Sequence, residues 1–478
     1  MMQSRLIALS LAGAFALAAC GDDDDGVTSP DAGTSADAAA PDAMLPEFGV
    51  HDCAEFAAAA HCVQVSGGDA QGLLVAANSL EDGTTIVLGR GTFAMTDGVF
   101  IRNKGIHLIG QGIDASTLDF KTTTTQVNGV DVIGDDFLVQ DLTVKDSPKD
   151  GIRVEATNGI VFRRIRSTWS TPSAMTNGSY GIYPVKSQNV LVEDSRAENA
   201  SDAGLYVGQC QHVIVRRNTV KGNVAGLEIE NTQYADVYEN TATDNTGGIV
   251  VFDLPGNPVI GRDIRIHDNI IHDNNHVNFS PGGTVQDIPV GTGTFALASR
   301  RVEITHNDYA DNGTGDIAIL SGRAIESDST KWTIPVANIV GAYEDLGLPA
   351  GATPDTVMNF LCENIVVAGN THVNTGTMPD HVDPLSIGLL LDVSFGDDPI
   401  APVLYDSIEE TLFNSTDASM NSNDRHICVG NSGGAFASMD LAEQSISNLI
   451  PFFRPAAPYA PFDCTELVGG PVAEVVLP

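Results

Sequence analysis

Two 22-residue units stand in tandem from Gly204 to Gly247, GLYVGQCQHVIVRRNTVKGNVA followed by GLEIENTQYADVYENTATDNTG. Each opens on glycine, runs through two stretches that alternate apolar and polar residues, and closes on Asn-x-x-x-x-Asn, Asn218 with Asn223 and Asn240 with Asn245. Alternation every second residue inside a fixed period, without helical spacing, is the pattern of a solenoid whose coils are β-strands. Further units open at Gly129, Gly151, Gly181 and Gly248, so the steps are 22, 30, 23, 22 and 22 residues. The long step carries an insertion around Ser167 to Tyr180, and Leu254 to Gly261 interrupts the unit after Gly248. Insertions in solenoids gather in corner loops, where binding specificity resides.

Within each unit the second stretch aligns as Ile160/Phe162, Val190/Val192, Val213/Val215, Ala235/Val237, Ile264/Ile266 and Val302/Ile304. These residues should point inward, with Asp236, Arg265 and Glu303 outward. Asn218, Asn240, Asn269, Asn307 and Asn370 recur at one register, which requires their amides to bond to the turns and to one another. Arg163, Arg164, Glu193, Asp194, Arg216, Arg217 and Glu239 alternate in sign along neighbouring columns and read as inter-coil charge pairs, each worth about 0.2 to 1 kcal/mol if exposed.

The 478 residues include 48 Gly, and 62 Asp+Glu against 24 Lys+Arg give a formal charge of -38. That balance excludes nucleic acid as a partner, because phosphate binding needs a basic surface. It disfavours direct adsorption to an anionic membrane as well. No cofactor is required by the sequence; calcium is the metal that an acidic composition would accommodate.

Residues 1–20, MMQSRLIALSLAGAFALAAC, have Arg5 and an apolar run from Leu6 to Ala19 too short to be a permanent span, the pattern of a cleaved signal peptide. Leu17-Ala18-Ala19-Cys20 resembles the lipobox of bacterial lipoproteins, which implies acylation of Cys20 and anchoring in the cell envelope, on the periplasmic or surface face of the outer membrane. Residues 21–46 are acidic and lack large apolar side chains before Met44, so they read as a disordered tether. Of the remaining cysteines, Cys53 with Cys62 and Cys428 with Cys464 are the local disulfide candidates outside the cytoplasm, although sequence leaves the pairing open. Cys210 lies inside a repeat and reads as a small buried filler.

Residues 47–90 form an N-terminal cap in which Asp69 can cap a helix bearing Leu73, Ala76, Ala77 and Leu80 on one side. Residues 91–375 hold the coils. Residues 376–478, where the repeat has faded, form an irregular C-terminal cap; Asp380-His-Val-Asp383 within them reads as an exposed turn.

Such coils resemble the right-handed parallel β-helix of the pectate-lyase-like superfamily, which also includes uronate epimerases and polygalacturonases. GSYGIYPVKSQNVLVEDS, ASDAGLYVGQ, VAGLEIENT and NTGGIVVFDLPG, between Gly178 and Gly256, resemble a family of secreted bacterial β-helix lipoproteins. The likeness extends over roughly Ile86 to Asn374 and implies an all-β architecture without implying a reaction. No aspartate-rich cluster like that of polygalacturonases and no Asp-Pro-His-Asp like that of alginate epimerases is present.

Parallel coils stack ~4.8 Å apart, so residues equally distant from each opening glycine form columns. Two after it lie Arg153, Tyr183, Tyr206, Glu228 and Val250; four after it lie Glu155, Val185, Gly208, Glu230 and Phe252; five after it lie Ala156, Lys186, Gln209, Asn231 and Asp253. Residues one and three after it are mostly apolar, so these columns should face solvent as one outer strip. Arg153, Glu155, Tyr183, Lys186, Gln209, Asn231 and Asp253 suit polysaccharide binding, aromatic faces stacking on sugar rings and charged groups meeting hydroxyls or uronates. Glu228, Glu230 and Tyr206 are the catalytic candidates. The two glutamates, two residues apart on one strand, should separate their Cβ atoms by roughly 6.5 to 7 Å, the range of about 6.5 to 9.5 Å that suits inverting hydrolysis; a lyase or epimerase would instead use Tyr206, Tyr183, Lys186 and Arg153 as base and cation. The same strip could also be a solvated sheet face laced with salt bridges. The partner expected is a polysaccharide, with another envelope protein as the alternative, and the protein is expected to be a monomer.

Overall fold

The computed structural model describes residues 46–59, 61–341, 355–380, 387–414, 417, 420–439, 452–453 and 459–478. The signal, Cys20, the tether up to residue 45 and residues 381–383 of the Asp380–Asp383 stretch lie outside them. Residues 46–478 form one unit, a right-handed parallel β-helix with three strands per coil. In the coil from Ala225 the first face is Ala225–Glu230, the second Gln233–Tyr238 and the third Thr241–Thr243. Each pairs in parallel with its equivalents one coil before and after, Leu205↔Leu227↔Ile249 on the first face and Val213↔Ala235↔Ile264 on the second.

The alternation predicts the core correctly. Leu227, Ile229, Ala235, Val237 and Ala242 of that coil are fully buried, as are Ile249, Ile266 and Ile271 of the next, and each large aliphatic withdrawn from water contributes about 1.5–3 kcal/mol. The opening glycines mark a corner with no room for a side chain: a Cβ on Gly226 would stand 2.6 Å from the Gly248 carbonyl oxygen and 2.8 Å from Asn245 Nδ2.

The closing asparagines form two ladders through the corners. Asn218 Nδ2 donates to Asn240 Oδ1 at 3.0 Å, Asn240 to Asn269 at 3.0 Å, Asn269 to Asn307 at 2.9 Å and Asn307 to Asn370 at 3.1 Å. The second ladder runs Asn223, Asn245, Asn274, Asn312 and ends on Asp316, whose Oδ1 accepts from Asn312 at 2.9 Å. Asp316 Oδ2 lies in turn 2.8 Å from His372 Nδ1, a buried polar partner where the ladder would otherwise stop.

At the N-terminal end the helix Ala70–Asn78 forms, with Asp69 Oδ1 accepting from Gly72 N at 2.8 Å, and puts Leu73 and Ala77 into the core. The coils extend beyond residue 375: Val403–Tyr405 and Phe436–Met439 continue the first face, and Ile427–Asn431 continues the second. The repeat fades from view there because the connections between these strands are long and irregular. Cys53 is bonded to Cys62 and Cys428 to Cys464; Cys210 is buried and free. From Cys464 onward the chain turns back along the outside of the second face, with Val468 and Asn364 exchanging hydrogen bonds of 2.9 and 3.1 Å, Val472 N donating to Glu303 at 3.2 Å, and Leu477 and Pro478 lining one cavity with Leu138, Val161 and Leu191.

One charge column departs from the expectation of exposed pairs. Glu193 is buried and accepts from Arg163 Nε at 2.6 Å, Arg216 Nη2 at 2.7 Å and Arg217 Nη2 at 2.9 Å, and these guanidiniums hold its carboxyl below the usual range against the desolvation that would raise it. Glu193→Gln should therefore cost about 1–3 kcal/mol, less than a wholly buried pair because the arginines reach solvent. Urea denaturation of the variant beside Asp194→Asn, whose pair with Arg217 is exposed, checks this; equal losses would contradict it.

Candidate functional site

The outer side of the first face carries the strip, and its two halves differ. In the earlier coils it is open. Arg153 lies between Asp131 (Nη1 to Oδ2, 3.3 Å) and Glu155, with which it is in direct contact, and Lys186 reaches Glu155 at 3.4 Å. The Arg153 guanidinium stands 6.0 Å from the Tyr183 ring centroid.

Next come three rings. Tyr180 and Tyr183 are 4.6 Å apart between centroids, Tyr180 and Tyr206 4.6 Å, and Tyr183 and Tyr206 4.9 Å, the last pair edge to face. The Tyr206 hydroxyl donates to Glu230 Oε2 at 2.7 Å, and Asn257 on the Leu254–Gly261 loop donates to Glu230 Oε1 at 2.6 Å. Gly208 makes this possible: a Cβ there would lie 2.3 Å from the Tyr206 ring and hydroxyl.

Around the rings stand four carboxyls, with Asp150, Glu228 and Glu230 buried and Asp202 half-buried. Burial pushes Asp202 up to about 7, with the Tyr180 hydroxyl offsetting part of the shift, and pushes Asp150 up to about 6. Burial also raises Glu228 well above the ordinary range, with Asp202 and Glu230 adding repulsion, and raises Glu230 against the hydrogen bonds from Tyr206 and Asn257. Asp150 Oδ1, Asp202 Oδ1 and Glu228 Oε1 are enclosed with no hydrogen-bond partner among the described residues. Enclosed oxygens of this kind favour the neutral acid over the carboxylate. The tyrosines are held protonated for the same reason, Tyr183 pushed up to about 12 by burial first and nearby charge second.

Asp150, Tyr180 and Asp202 precede the opening glycines and so fall outside columns defined by distance after them. The ladder pairs Tyr180 with Ala203 and Ile182 with Leu205, skipping the glycines between. Tyr180 and Ala203, just before the glycines, lie with Tyr183 and Tyr206 in the outer cluster, whereas Ile182 and Leu205, just after them, lie in the core.

Other expectations for the strip are corrected. From Tyr206 onward it does not face solvent: Tyr206 is 5% exposed, Glu228 1% and Glu230 7%. Val250 and Phe252 pack beneath Phe279, Val285 and Ile288 of a loop after the third face, in a cluster that also takes in Trp332 and Phe360. The roof escaped the sequence reading because its residues lie far along the chain from the strands they cover. Lys186, Gln209 and Asn231 leave the strip for the corner after it, at φ of 52°, 53° and 43°. Asn231, fully buried, donates to the Val259 carbonyl at 2.7 Å and supports the loop bearing Asn257. Asp253 is buried in the next corner, accepting from Gly261 N and Asn359 Nδ2, both at 2.7 Å, and is pushed up to about 7 by burial. For a metal, among the described residues the group of three ligand-type side chains within 4.8 Å is His426, Cys428 and Cys464, and the two cysteines are joined to each other.

Residues 97–262 match the family model described as right handed beta helix region. No curated protein matches the chain. Among solved structures it is similar to the mannuronan C-5 epimerase AlgE4 A-module of Azotobacter vinelandii (15% identity over 66% of this chain and 89% of that one, TM-score 0.44). It is also similar to the polygalacturonase of Erwinia carotovora (10% identity, 55% and 91%, TM-score 0.35) and to an alginate lyase of a Paenibacillus species (13% identity, 55% and 91%, TM-score 0.30). Stacked parallel coils with asparagine ladders at their corners give the chain the fold of a right-handed parallel β-helix, and residues 97–262 match the model of such a region.

Proposed function

We propose that the protein binds the end of a polysaccharide chain on the first face and processes it by acid–base chemistry. The observation that carries this reading is the convergence of Tyr180, Tyr183 and Tyr206 with Asp202, Glu228 and Glu230 where the open half of the strip meets the roofed half. Arg153 and Tyr183 offer charge and an aromatic face to sugar units arriving from the open side, and Phe279, Val285 and Ile288 cover the strip past Glu230.

In this reading Asp202 is the proton donor and acceptor, since a carboxyl that titrates near 7 can serve both roles at neutral pH. Glu228 stays protonated, while burial first and the Glu230 and Asp150 carboxyls second hold Asp202 up; Tyr206, hydrogen-bonded to Glu230, positions the sugar at the reacting bond. The lipobox at Leu17–Cys20 supports delivery to the cell envelope by a lipid anchor, testable by fatty-acid labelling of the wild type and Cys20→Ala.

The experiment is a screen of neutral and uronic polysaccharides for binding and turnover. On any substrate found, Asp202→Asn should lower kcat by about 10²–10⁴, Tyr206→Phe should raise KM more than it lowers kcat, and products should be released from chain ends. Binding to no polysaccharide, or full turnover by Asp202→Asn, would reject the reading. The alternative of a non-catalytic scaffold is favoured by the deep burial of Glu228 and Tyr206; it requires both variants to leave polysaccharide binding and the cellular phenotype unchanged.

A further inference from the structure

The tyrosine cluster on the first face has an open mouth and an acid floor. Tyr180, Tyr183 and Asp202 are half-buried, whereas Asp150 is 2% exposed and Glu228 1%. Asp150 Oδ1, Asp202 Oδ1 and Glu228 Oε1 have no hydrogen-bond partner among the described residues, and each group stranded in this way costs about 1–3 kcal/mol. A ligand that donates hydrogen bonds here recovers part of that cost.

Charge points the same way. Burial is the main influence on Asp202, Glu228 and Glu230; beside it act the other carboxyls, the Tyr180 and Tyr206 hydroxyls and the Asn257 amide, with no paired cation among the described residues. Of the cations nearby, Arg153 lies between Asp131 and Glu155, Lys186 reaches Glu155, and the exposed Lys149 acts on Asp150. The rings favour a cation too. Tyr180 lies 4.6 Å from Tyr183 and from Tyr206 between centroids, tyrosine faces attract cations, and the Arg153 guanidinium already stands 6.0 Å from the Tyr183 centroid. A calcium ion fits less well: it takes about six to eight oxygens, and among the described residues these carboxyls do not bring three ligand oxygens within 4.8 Å of one another.

We propose that the first-face site takes an amino sugar, with the ammonium over the Tyr180 and Tyr183 rings beside Asp202. This rests on the polysaccharide-processing reading of that face and names its substrate class. An ammonium has three donors and no acceptor, the complement of unpartnered carboxyl oxygens, whereas a uronate carboxylate only accepts and meets a like charge at every acid that ionises. The formal charge of -38 draws any cation toward the chain, so the specific claim is the pairing of ammonium with sugar.

Isothermal titration calorimetry of the full-length protein with tetramers of glucosamine and of galactosamine, their N-acetylated forms, cellotetraose, tetragalacturonate and tetralysine tests the assignment. At least one amino-sugar tetramer should bind about tenfold or more tighter than its N-acetylated form, cellotetraose or tetragalacturonate. Its affinity should rise from about pH 5 to about pH 7, as Asp202, pushed up to about 7, ionises; Asp150, Glu228, Glu230, the three tyrosines, Arg153 and Lys149 are the other titratable groups around it. Asp202→Asn should weaken amino-sugar binding about tenfold and leave the N-acetylated tetramer within about twofold. Tyr180→Leu should do the same, and Tyr180→Phe, which keeps the ring, should not. Equal or tighter binding of a neutral or uronic tetramer overturns the proposal and leaves the processing of polysaccharide intact. Tetralysine binding as tightly as the amino sugar, affinity that falls with pH across that range, or wild-type affinity in both Asp202→Asn and Tyr180→Leu also overturns it. So does failure of both amino sugars to bind, and the wider polysaccharide screen then decides the reading of the face by itself. Thermal melts show whether each variant is folded, and the ligand series on the wild type keeps the test decisive should a variant fail to fold.

Discussion

Asn240→Ala is expected to destabilise the protein by about 3–6 kcal/mol. The Asn240 side chain accepts from Asn218 N and Asn218 Nδ2, both at 3.0 Å, and donates to the Val215 carbonyl at 2.9 Å and to Asn269 Oδ1 at 3.0 Å. Alanine leaves these groups without partners in a corner closed to water, and each buried polar group so stranded costs about 1–3 kcal/mol. Some recover part of that by small shifts, so the sum falls below four full penalties. Because each coil of a solenoid is stabilised chiefly by its neighbours, the loss should spread outward from that coil. Urea denaturation with hydrogen exchange checks both parts: a midpoint within about 1 kcal/mol of wild type, or exchange no faster at Val215 and Asn218 than elsewhere, would refute the prediction. Asn370→Ala, at the end of the ladder, should cost less, having fewer ladder bonds to lose.

Stability should also fall as the pH rises from about 4 to about 8. Burial lifts Asp150 to about 6 and Asp202, Asp253 and Asp406 to about 7, and it raises Glu228 and Glu230 as well. Between the ordinary carboxyl range near pH 4 and these raised values the folded protein holds protons that the unfolded chain has released. Stability is therefore fully present below the unfolded pKa and is lost as pH rises through the folded one. The self-repulsion of a chain at -38 acts in the same direction, so the slope alone does not identify the buried acids. Glu228→Gln separates the two. It removes one negative charge in the unfolded chain at neutral pH, yet should flatten the melting temperature against pH and stabilise the protein by about 1–3 kcal/mol at pH 8, because a neutral amide no longer has to be held against ionisation. Glu239→Gln, at an exposed position, should change the slope little. A melting temperature that rises from pH 5 to pH 8, or equal slopes in the two variants, would refute the account.

The cost of holding these acids neutral also bears on why they are there. Nothing in the packing of the coils needs Glu228: its neighbours at the same register are Tyr206 and Val250, which bury without an ionisation cost. A destabilising acid kept where an apolar side chain fits is the trade expected of a working site.

The repeat was legible because it is local. Glycine-opened units, alternation and asparagines at a constant offset each reflect one coil stacking on the next, and every coil repeats the constraint, so Leu227, Ile229 and Val237 fall in the core as the pattern requires. Tyr206, Glu228 and Glu230 were assigned to one outer side by the same argument, and they stand there. What the outer side faces is a different matter. Asn257, Phe279, Ile288, Trp332 and Phe360 belong to insertions with no period, and nothing in their spacing tells which coil they will cover.

By itself, then, the sequence determined the coil, its inward residues, its ladders and the columns on its surface, since those depend on neighbours one period away. Only the tertiary structure decided which part of a column is open or roofed, that residues before each glycine join the strip, and that arginines from two neighbouring strands meet Arg425 of a late segment. Those outcomes depend on loops folding across many coils, where chain connectivity sets no register and burial alone selects the contact.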